Sequence, residues 1–270
     1  MSRHACTGIV AQNSEGGIVH GRTLDYTIKA AMTNITVVID FTRNGTTQYT
    51  SIGYIGMPGF NTFVKPGVVS LSQDERDQGP IFVNWWDMFI RRRLSTFAAI
   101  REVAQEATSF DDAVDRITSF EFAADSYFIL GGTRAGQGVV IARDRNSKHR
   151  KVWHLGDANA TAHGNTTSRW YLVETNYDLD GRTGKHDNRR YPAERYMDAR
   201  GPVGFDAAAM WGAVTNKDYN VTRGERPTYN NETVWSAVME AAHPEGLRVV
   251  VHEGPGWQPP NPPKPHGQHM

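Results

Sequence analysis

The chain has 270 residues, which is enough for one large domain whose hydrophobic core needs no covalent cross-links. Its 29 basic and 29 acidic residues cancel to a formal charge of zero, which excludes the net basic field that nucleic-acid-binding proteins use. An apolar content of 39% with 10% aromatic residues excludes a disordered chain, and no apolar run approaches the roughly 20 residues of a membrane-spanning helix.

Two β-hairpins are predicted in the first 55 residues. The turn-forming run Asn-Ser-Glu-Gly-Gly at 13–17 and the pair Asn44-Gly45 each separate two apolar or β-branched runs. The four predicted strands are 7–12, 18–24, 35–41 and 48–55. Residues 57–68 contain Met-Pro-Gly and Lys-Pro-Gly and are predicted to form a loop.

A helical period follows between residues 80 and 107. Within 82–93, apolar side chains recur every three or four residues and are followed by three arginines. This helix either packs against the core or lies on an anionic membrane with its apolar face down. Ser109 and Asp112 resemble a capping box, which predicts that a second helix starts there.

The second half of the chain is predicted to return to strands, with one further helix. The predicted strands are 126–130, 139–142, 170–174, 233–239 and 247–252, the helix is 205–214, and a loop covers 146–169. Strands, helices and strands in this order predict an α+β fold in which sheets are sandwiched between helices. Residues 254–270 hold six prolines and are predicted to be a disordered tail.

Six asparagines stand in Asn-X-Ser/Thr sequons, whereas about two of the fifteen in the chain would match by chance. A threonine-rich composition is one explanation, and glycosylation in the secretory pathway is the other. The excess favours glycosylation, with the sequons in surface loops. The six are Asn34, Asn44, Asn159, Asn165, Asn220 and Asn231.

Cys6 is the single cysteine of the chain, so it forms no internal disulfide or multi-cysteine metal site. It is therefore a buried apolar residue, an intermolecular partner or a nucleophile. If the first hairpin closes, its second strand brings Arg22 and Asp25 alongside Cys6. The guanidinium would favour the thiolate, and an α-amine freed at Cys6 could act as a local base. The ten histidines show no metal-ligand spacing, and no metal is expected.

The run Cys-Thr-Gly-Ile-Val-Ala at 6–11, followed by His-Gly-Arg-Thr-Leu-Asp-Tyr at 20–26, resembles the start of the mature β-subunit in one enzyme family. This is the family of acid ceramidase and N-acylethanolamine-hydrolysing acid amidase, which belongs to the N-terminal-nucleophile hydrolases and is related to bile-salt hydrolases. The resemblance continues in order along the chain to about residue 252. Its further motifs are 53–56, 74–77, 127–132, 140–145, 174–178 and 187–190.

The resemblance implies a role for six residues. Cys6 resembles the nucleophile, which is exposed when the chain cleaves itself after Ala5. Asp25 resembles the carboxylate that orients the freed amine, and Arg22 the cation beside the thiol. The other three resemble an oxyanion-hole donor, a supporting arginine and a polar residue of the substrate pocket: Asn176, Arg189 and Glu75 respectively.

The resemblance also implies the fold, the organisation and the activity. We expect an N-terminal-nucleophile hydrolase αββα sandwich, with a leader at 1–5 removed on maturation and a catalytic domain at 6–253. The implied activity is cofactor-free hydrolysis of fatty acyl amides such as N-acylethanolamines. Acid ceramidase activity on N-acylsphingosine and an inactive fragment without its α-subunit are the alternatives.

The family's precursor carries a signal peptide and an α-subunit before the cysteine, whereas only residues 1–5 precede Cys6 here. Either the sequence is partial, with the α-subunit encoded upstream, or this member folds without that subunit, and we expect the first. Lysosomal or secreted localisation follows from the same resemblance.

Overall fold

The computed structural model describes residues 5–57, 59–76, 81–145, 150–157, 169–181, 183 and 187–253. In these residues the strands, in chain order, are β1 (Ala5–Gln12), β2 (Ile18–Asp25), β3 (Thr36–Arg43), β4 (Thr46–Tyr54), β5 (Phe60–Lys65), β6 (Val69–Glu75), β7 (Ser126–Gly131), β8 (Gly138–Arg143), β9 (Arg150–His154), β10 (Tyr171–Glu174), β11 (Thr233–Met239) and β12 (Leu247–Val251). The α-helices are α1 (Lys29–Ile35), α2 (Ile81–Phe89), α3 (Thr96–Glu106), α4 (Phe110–Ser119), α5 (Arg190–Arg200) and α6 (Ala207–Val214).

The strands form two antiparallel sheets. Sheet 1 has the order β10-β1-β2-β11-β12, and sheet 2 has the order β3-β4-β5-β6-β7-β8-β9. In sheet 1 the first hairpin pairs Cys6 with Leu24 and Gly8 with Arg22. Since side chains alternate between the two faces of a strand, Cys6 and Gly8 point to the same face of β1.

Helices cover the outer face of each sheet. Helices α5 and α6 pack on sheet 1 through a core that includes Ile9, Ala11 and Trp211. Helices α3 and α4 pack on sheet 2 through a core that includes Phe128 and Ile141. The inner faces of the sheets meet in two further apolar clusters, one of which contains Cys6. These four layers confirm the predicted αββα arrangement.

Several helices begin where their sequence predicts. The Ser109 hydroxyl accepts a hydrogen bond from the backbone N–H of Asp112 at 3.1 Å, and α4 begins at the next residue. The Asp206 carboxylate caps α6 by accepting from Ala209 N–H at 2.9 Å. Such caps satisfy backbone donors that have no partner inside the helix.

Two segments predicted to be loops contain strands. Residues 57–68 include β5, in which Phe60, Phe63 and Val64 are buried and which hydrogen-bonds to β4 and β6. The proline and glycine residues of this segment flank the strand, so they end it without interrupting it. The segment 146–169 includes β9, which adds an edge strand to sheet 2 beside β8. Neither β6 nor α5 was predicted.

The helical segment 80–107 is two helices. Helix α2 ends at Phe89, and α3 begins after the Ser95 cap, whose hydroxyl accepts from Ala98 N–H at 3.2 Å. Between them Arg92 has a positive φ of 56°. A residue with left-handed backbone dihedrals cannot continue a right-handed helix, so Arg92 separates α2 from α3.

Three aromatic side chains of helix α2 are exposed to solvent. Trp85, Trp86 and Phe89 are 62%, 56% and 63% exposed, respectively. These three side chains therefore do not pack against the core. In the part of the chain that the structure describes, no helix has the length and apolarity that a membrane crossing requires.

The ends of the chain fall largely outside the described residues. The predicted tail at 254–270 lies outside them, as do residues 1–4 of the predicted leader, whereas Ala5 belongs to β1. Two of the sequon asparagines, Asn159 and Asn165, also lie outside. The other four are exposed: Asn34, Asn44, Asn220 and Asn231.

The packing of sheet 2 against α3 and α4 predicts the effect of a core truncation. Phe128 is fully buried and lies 5.1 Å from the ring of Phe122. We expect Phe128→Ala to lower the free energy of unfolding by about 3–5 kcal/mol, because it leaves a cavity. Phe89→Ala, the same change at an exposed position, should alter it by about 0.5 kcal/mol or less. Urea denaturation with a constant m-value measures both, and equal effects would contradict this packing.

Candidate active site

The Cys6 thiol lies at the amino end of β1, on the inner face of sheet 1. Its Sγ is 3.6 Å from Nη2 of Arg22, which projects from the adjoining strand β2. Its backbone N–H donates to Oδ1 of Asn176 at 2.8 Å. The cysteine is only 3% exposed in the chain with Ala5 attached. The hairpin thus brings the predicted cysteine and arginine together.

Arg22 is fully buried and is held from several sides. Its Nη1 forms an ion pair with Asp74 of β6 at 3.1 Å and donates to the backbone carbonyl of Asn61 at 3.4 Å. The guanidinium also lies over the ring of Trp235, 5.4 Å from its centroid. Because Asp74 and Asn61 belong to sheet 2, Arg22 connects the two sheets directly behind the thiol.

The electrostatic environment of the thiol differs from the one expected from sequence. Burial raises the pKa of Cys6 well above its ordinary value, and the negative charge of Asp74 raises it further, while Arg22 lowers it. The arginine alone would favour the thiolate, as predicted. Desolvation and Asp74 outweigh it, so Cys6 of the uncleaved chain is a protonated thiol at neutral pH.

Asp25 lies at the end of β2, opposite Ala5 in the strand ladder. It is fully buried, and its Oδ2 accepts from Nδ2 of Asn230 at 2.8 Å. Burial raises the pKa of the carboxyl to about 6, although Arg189 and Asn230 oppose the shift. Asp25 therefore lies beside Ala5, the residue that precedes Cys6.

Asn176 occupies the turn after β10 with a positive φ of 68°, a conformation that asparagine tolerates better than most residues. Its Oδ1 accepts from the Cys6 backbone N–H and from Nη2 of Arg189, both at 2.8 Å. Its Nδ2 donates to the backbone carbonyl of Glu75 at 2.7 Å. Two donors on one side and an acceptor on the other fix the orientation of the amide.

Arg189 is the second buried guanidinium of the site. It precedes α5, and its Nη1 donates to the backbone carbonyl of Cys6 while Nη2 donates to that of Thr175 at 3.1 Å. Asp187 neutralises it, with Oδ1 at 3.1 Å from Nε. Arg189 thereby ties β1 to the turn that carries Asn176.

Glu75 contributes differently from the other predicted residues. Its side chain is exposed, and the contact with Asn176 comes from its backbone carbonyl. Three contributing residues were not predicted: Asp74, Asp187 and Asn230. The first two stand inside motifs of the family resemblance, so their signal was present without a role. Asn230 stands outside those motifs, and only the fold brings it to Asp25.

The site shows no arrangement typical of a metal centre. Among the described residues, no group of three or more histidine, cysteine, aspartate or glutamate side chains could hold a metal ion. The chemistry available here is that of a thiol, two guanidiniums, three carboxyl groups and two amides, from Asp25, Asp74 and Asp187 and from Asn176 and Asn230.

Comparison with known proteins shows similarity over most of this chain. The profile of the linear amide C–N hydrolases of the choloylglycine hydrolase family matches residues 6–179. N-acylethanolamine-hydrolyzing acid amidase from Oryctolagus cuniculus is 34% identical over 245 residues, which are 89% of this chain and 62% of that protein. Acid ceramidase from Mus musculus is 30% identical over 252 residues, which are 87% of this chain and 59% of that protein. The chain thus spans less than two thirds of the length of these relatives.

The fold comparison gives the same relationship. The solved structure of a Caenorhabditis elegans N-acylethanolamine-hydrolyzing acid amidase ortholog superposes with a TM-score of 0.73 at 34% identity. It covers 89% of this chain and 95% of that chain. This likeness confirms the predicted N-terminal-nucleophile hydrolase fold. Because the family profile also covers more than half of the sequence, the chain belongs to the linear amide C–N hydrolases of the choloylglycine hydrolase family.

Proposed function

We propose that the protein is an amidase that hydrolyses fatty acyl amides through Cys6 as its amino-terminal residue. The observation that carries this proposal is the contact set of one residue. The Cys6 sulfur is 3.6 Å from Arg22, and its nitrogen is 2.8 Å from Asn176. An N-terminal cysteine attacks with its sulfur and uses its own amine nitrogen as the base, so both atoms must lie in the site.

Maturation begins with cleavage of the bond between Ala5 and Cys6. The backbone nitrogen, which lies 2.8 Å from Oδ1 of Asn176, becomes an α-amine, and we assign Asp25 as the carboxylate that orients it. Cys6 is 3% exposed while Ala5 is attached, and we infer that loss of residues 1–5 opens the thiol to solvent. Exposure to water removes part of the desolvation that raises the thiol pKa in the uncleaved chain.

Turnover then follows in two steps. The amine takes the proton of the thiol, and the sulfur attacks the amide carbonyl to form a tetrahedral oxyanion. The ammonium gives its proton to the leaving nitrogen, so the C–N bond breaks, the amine product departs and an acyl thioester remains. Water, deprotonated by the same amine, attacks the thioester to release the fatty acid and restore the thiol.

Asn176 has a hydrogen available for the oxyanion. An amide nitrogen carries two N–H donors, and one of those on Nδ2 is directed to the Glu75 carbonyl. We assign the other to the oxygen of the tetrahedral intermediate. Arg22 adds positive charge beside the sulfur, and Arg189 fixes the Cys6 carbonyl, so the attacking atom is held in place. Glu75 borders this position and belongs to the substrate-binding side.

N-acylethanolamines are the substrate class we favour. Rabbit N-acylethanolamine-hydrolyzing acid amidase has the higher identity of the two relatives, 34% against 30% for mouse acid ceramidase. Ceramide is the alternative substrate, and an inactive fragment is the non-enzymatic alternative. The complete set of contacts around Cys6 argues against lost activity.

A direct assay tests the function. We expect the chain, expressed with any upstream α-subunit, to release palmitate from palmitoylethanolamide faster than from ceramide. Intact-mass measurement of the active protein should show loss of residues 1–5. Cys6→Ala should reduce turnover to background because no sulfur remains to attack. Activity in protein that retains residues 1–5, or in Cys6→Ala, would contradict this mechanism.

The role of Asn176 has its own test. Asn176→Asp keeps the acceptor oxygen and tolerates the positive φ, but it removes both N–H donors. We expect kcat to fall by about 10²–10³, the usual loss for an oxyanion donor. Asn44 also has a positive φ, 51°, in an exposed turn, so Asn44→Asp is the matched control and should retain full activity. Equal kcat values for the two variants would remove Asn176 from the oxyanion hole.

We further propose that α2 and the residues after it contact anionic membranes that supply the lipid substrate. Trp85, Trp86 and Phe89 form an exposed apolar surface on the helix. Three arginines follow at 91–93, and Asp87 is ion-paired at 3.1 Å to the first and the last of them. The segment therefore keeps a net positive charge beside its apolar face, as interfacial helices do.

Vesicle binding tests the membrane surface. Replacing Trp85, Trp86 and Phe89 together with serine should weaken binding to phosphatidylserine-containing vesicles on the order of tenfold or more, because the buried apolar area is lost. Val203 and Val221 are exposed apolar residues elsewhere on the surface, so replacing them with serine is the control and should leave binding unchanged. Unaltered cosedimentation of the triple variant would refute this surface.

The remaining expectations from the resemblance also stay proposals. We propose a lysosomal or secreted glycoprotein that acts together with an upstream α-subunit. The exposed positions of the four described sequon asparagines support glycosylation. The location and the α-subunit are supported by the resemblance alone.

A further inference from the structure

Charged side chains lie between the two sheets, behind the active site. On sheet 1, Glu174 of β10 and Arg22 of β2 lie opposite Gly8 of β1, one on each side. Directly paired residues point to the same face, so both long side chains project toward sheet 2. Gly8 leaves the space between them, and Ile129 fills part of it, 2.9 Å from where a Cβ would stand.

Asp74 meets these side chains from sheet 2. It projects from β6, and one of its oxygens lies 3.1 Å from Nη1 of Arg22. Asp74, Arg22 and Glu174 are each fully buried. Two carboxyl groups and one guanidinium therefore lie in the interior between the sheets, closed to bulk solvent.

The buried oxygens of Glu174 and Asp74 have too few hydrogen-bond donors for two ionised carboxylates. Oε1 of Glu174 accepts the backbone N–H of Tyr177 at 3.1 Å. Among the described residues, no N–H or O–H group in hydrogen-bonding geometry reaches Oε2 of Glu174 or either oxygen of Asp74. An ionised carboxylate only accepts, so buried oxygens without donors indicate that one carboxyl carries a proton. Asp74 lies beside the positive charge of Arg22, so we assign the proton to Oε2 of Glu174.

The neighbouring charges are already engaged. Arg189 is paired with Asp187, and Arg190 directs its terminal nitrogens to backbone carbonyls, including that of Tyr177 at 2.6 Å. Both guanidiniums lower the pKa of Glu174, but burial is the larger effect, and with the charge of Asp74 it raises that pKa well above its ordinary value. The other titratable groups that face the pair are the Cys6 thiol and the Tyr127 hydroxyl, which is itself hydrogen-bonded to Asp178.

We propose that Glu174 and Asp74 share one proton, with Glu174 as the acid that donates from Oε2 and Asp74 as the ionised counter-ion of Arg22. The pair then balances the charge of Arg22 with one negative charge instead of two. Both carboxyls are positioning residues, since they act through Arg22 on the thiol. Their catalytic consequence rests on the proposed amidase function, whereas their protonation does not.

The shared proton has a consequence for folding stability. Unfolded Glu174 titrates near pH 4.3, while the folded residue keeps its proton above that value. Above that pH the folded chain therefore binds one proton more than the unfolded chain. The equilibrium constant for folding then falls by about tenfold for each unit by which the pH rises, as long as folded Glu174 keeps its proton. Glu174→Gln supplies a permanent N–H donor of nearly the same shape and removes this dependence.

Urea denaturation from pH 5 to 8 measures the effect. We expect the ratio of the wild-type folding constant to that of Glu174→Gln to fall about tenfold per pH unit. Glu225→Gln is the matched control, because the bond to Arg195 lowers the pKa of Glu225, and its ratio should stay flat over the same range. A flat ratio for Glu174→Gln as well would overturn the proposal.

Infrared spectroscopy of the wild-type chain gives a second answer that needs no variant to fold. At pH 8, Asp25 is ionised because its pKa is about 6. A protonated-carboxyl band that persists at this pH and shifts in D₂O is the expected result, and its absence would overturn the shared proton. Neither measurement uses substrate, so loss of the amidase proposal would leave this result standing.

Discussion

The pairing of β1 with a strand on each side is the constraint on which the site depends. Strand β10 ends in the turn that carries Asn176, and β2 carries Arg22 and Asp25. Since the register is fixed by the tight turn at 13–17, a slip of one residue would turn the Cys6 side chain to the outer face and into the helices. The order of strands therefore brings Asn176 to the Cys6 nitrogen across 170 positions of sequence.

Buried charge makes this arrangement rigid. Removing an ion from water costs several kcal/mol even after the protein relaxes, so an arginine at zero exposure persists only with good partners. Arg22 is ion-paired with Asp74 and donates to a backbone carbonyl of sheet 2. Arg189 is ion-paired with Asp187 and donates to two backbone carbonyls, one in β1 and one in the turn after β10. One guanidinium thus fastens the sheets to each other, and the other fastens β1 to the turn of Asn176.

The sequence predicted the parts of the fold that local chemistry determines. The turn at 13–17 and the caps at Ser109 and Asp206 act within a few residues, and all are present. Strand β5 was missed because the glycines and prolines on either side of it indicate a loop. Its burial comes from β4, β6 and α3, and those contacts are not visible in the local sequence. The family resemblance identified Arg22, Asp25 and Arg189, but it gave no role to Asp74 or Asp187 and did not supply the partner of Asp25. Asn230 reaches that carboxyl across 205 positions of sequence, and no periodicity encodes such a distance.

The clamp from Arg189 falls on the carbonyl of Cys6, one peptide unit beyond the proposed scission point. Breaking the preceding bond would leave that carbonyl, its strand pairing and its guanidinium partner in place. Precursor and mature forms would then share a single scaffold around the sulfur. Activation would amount to unmasking a preassembled centre, with no refolding step between synthesis and use.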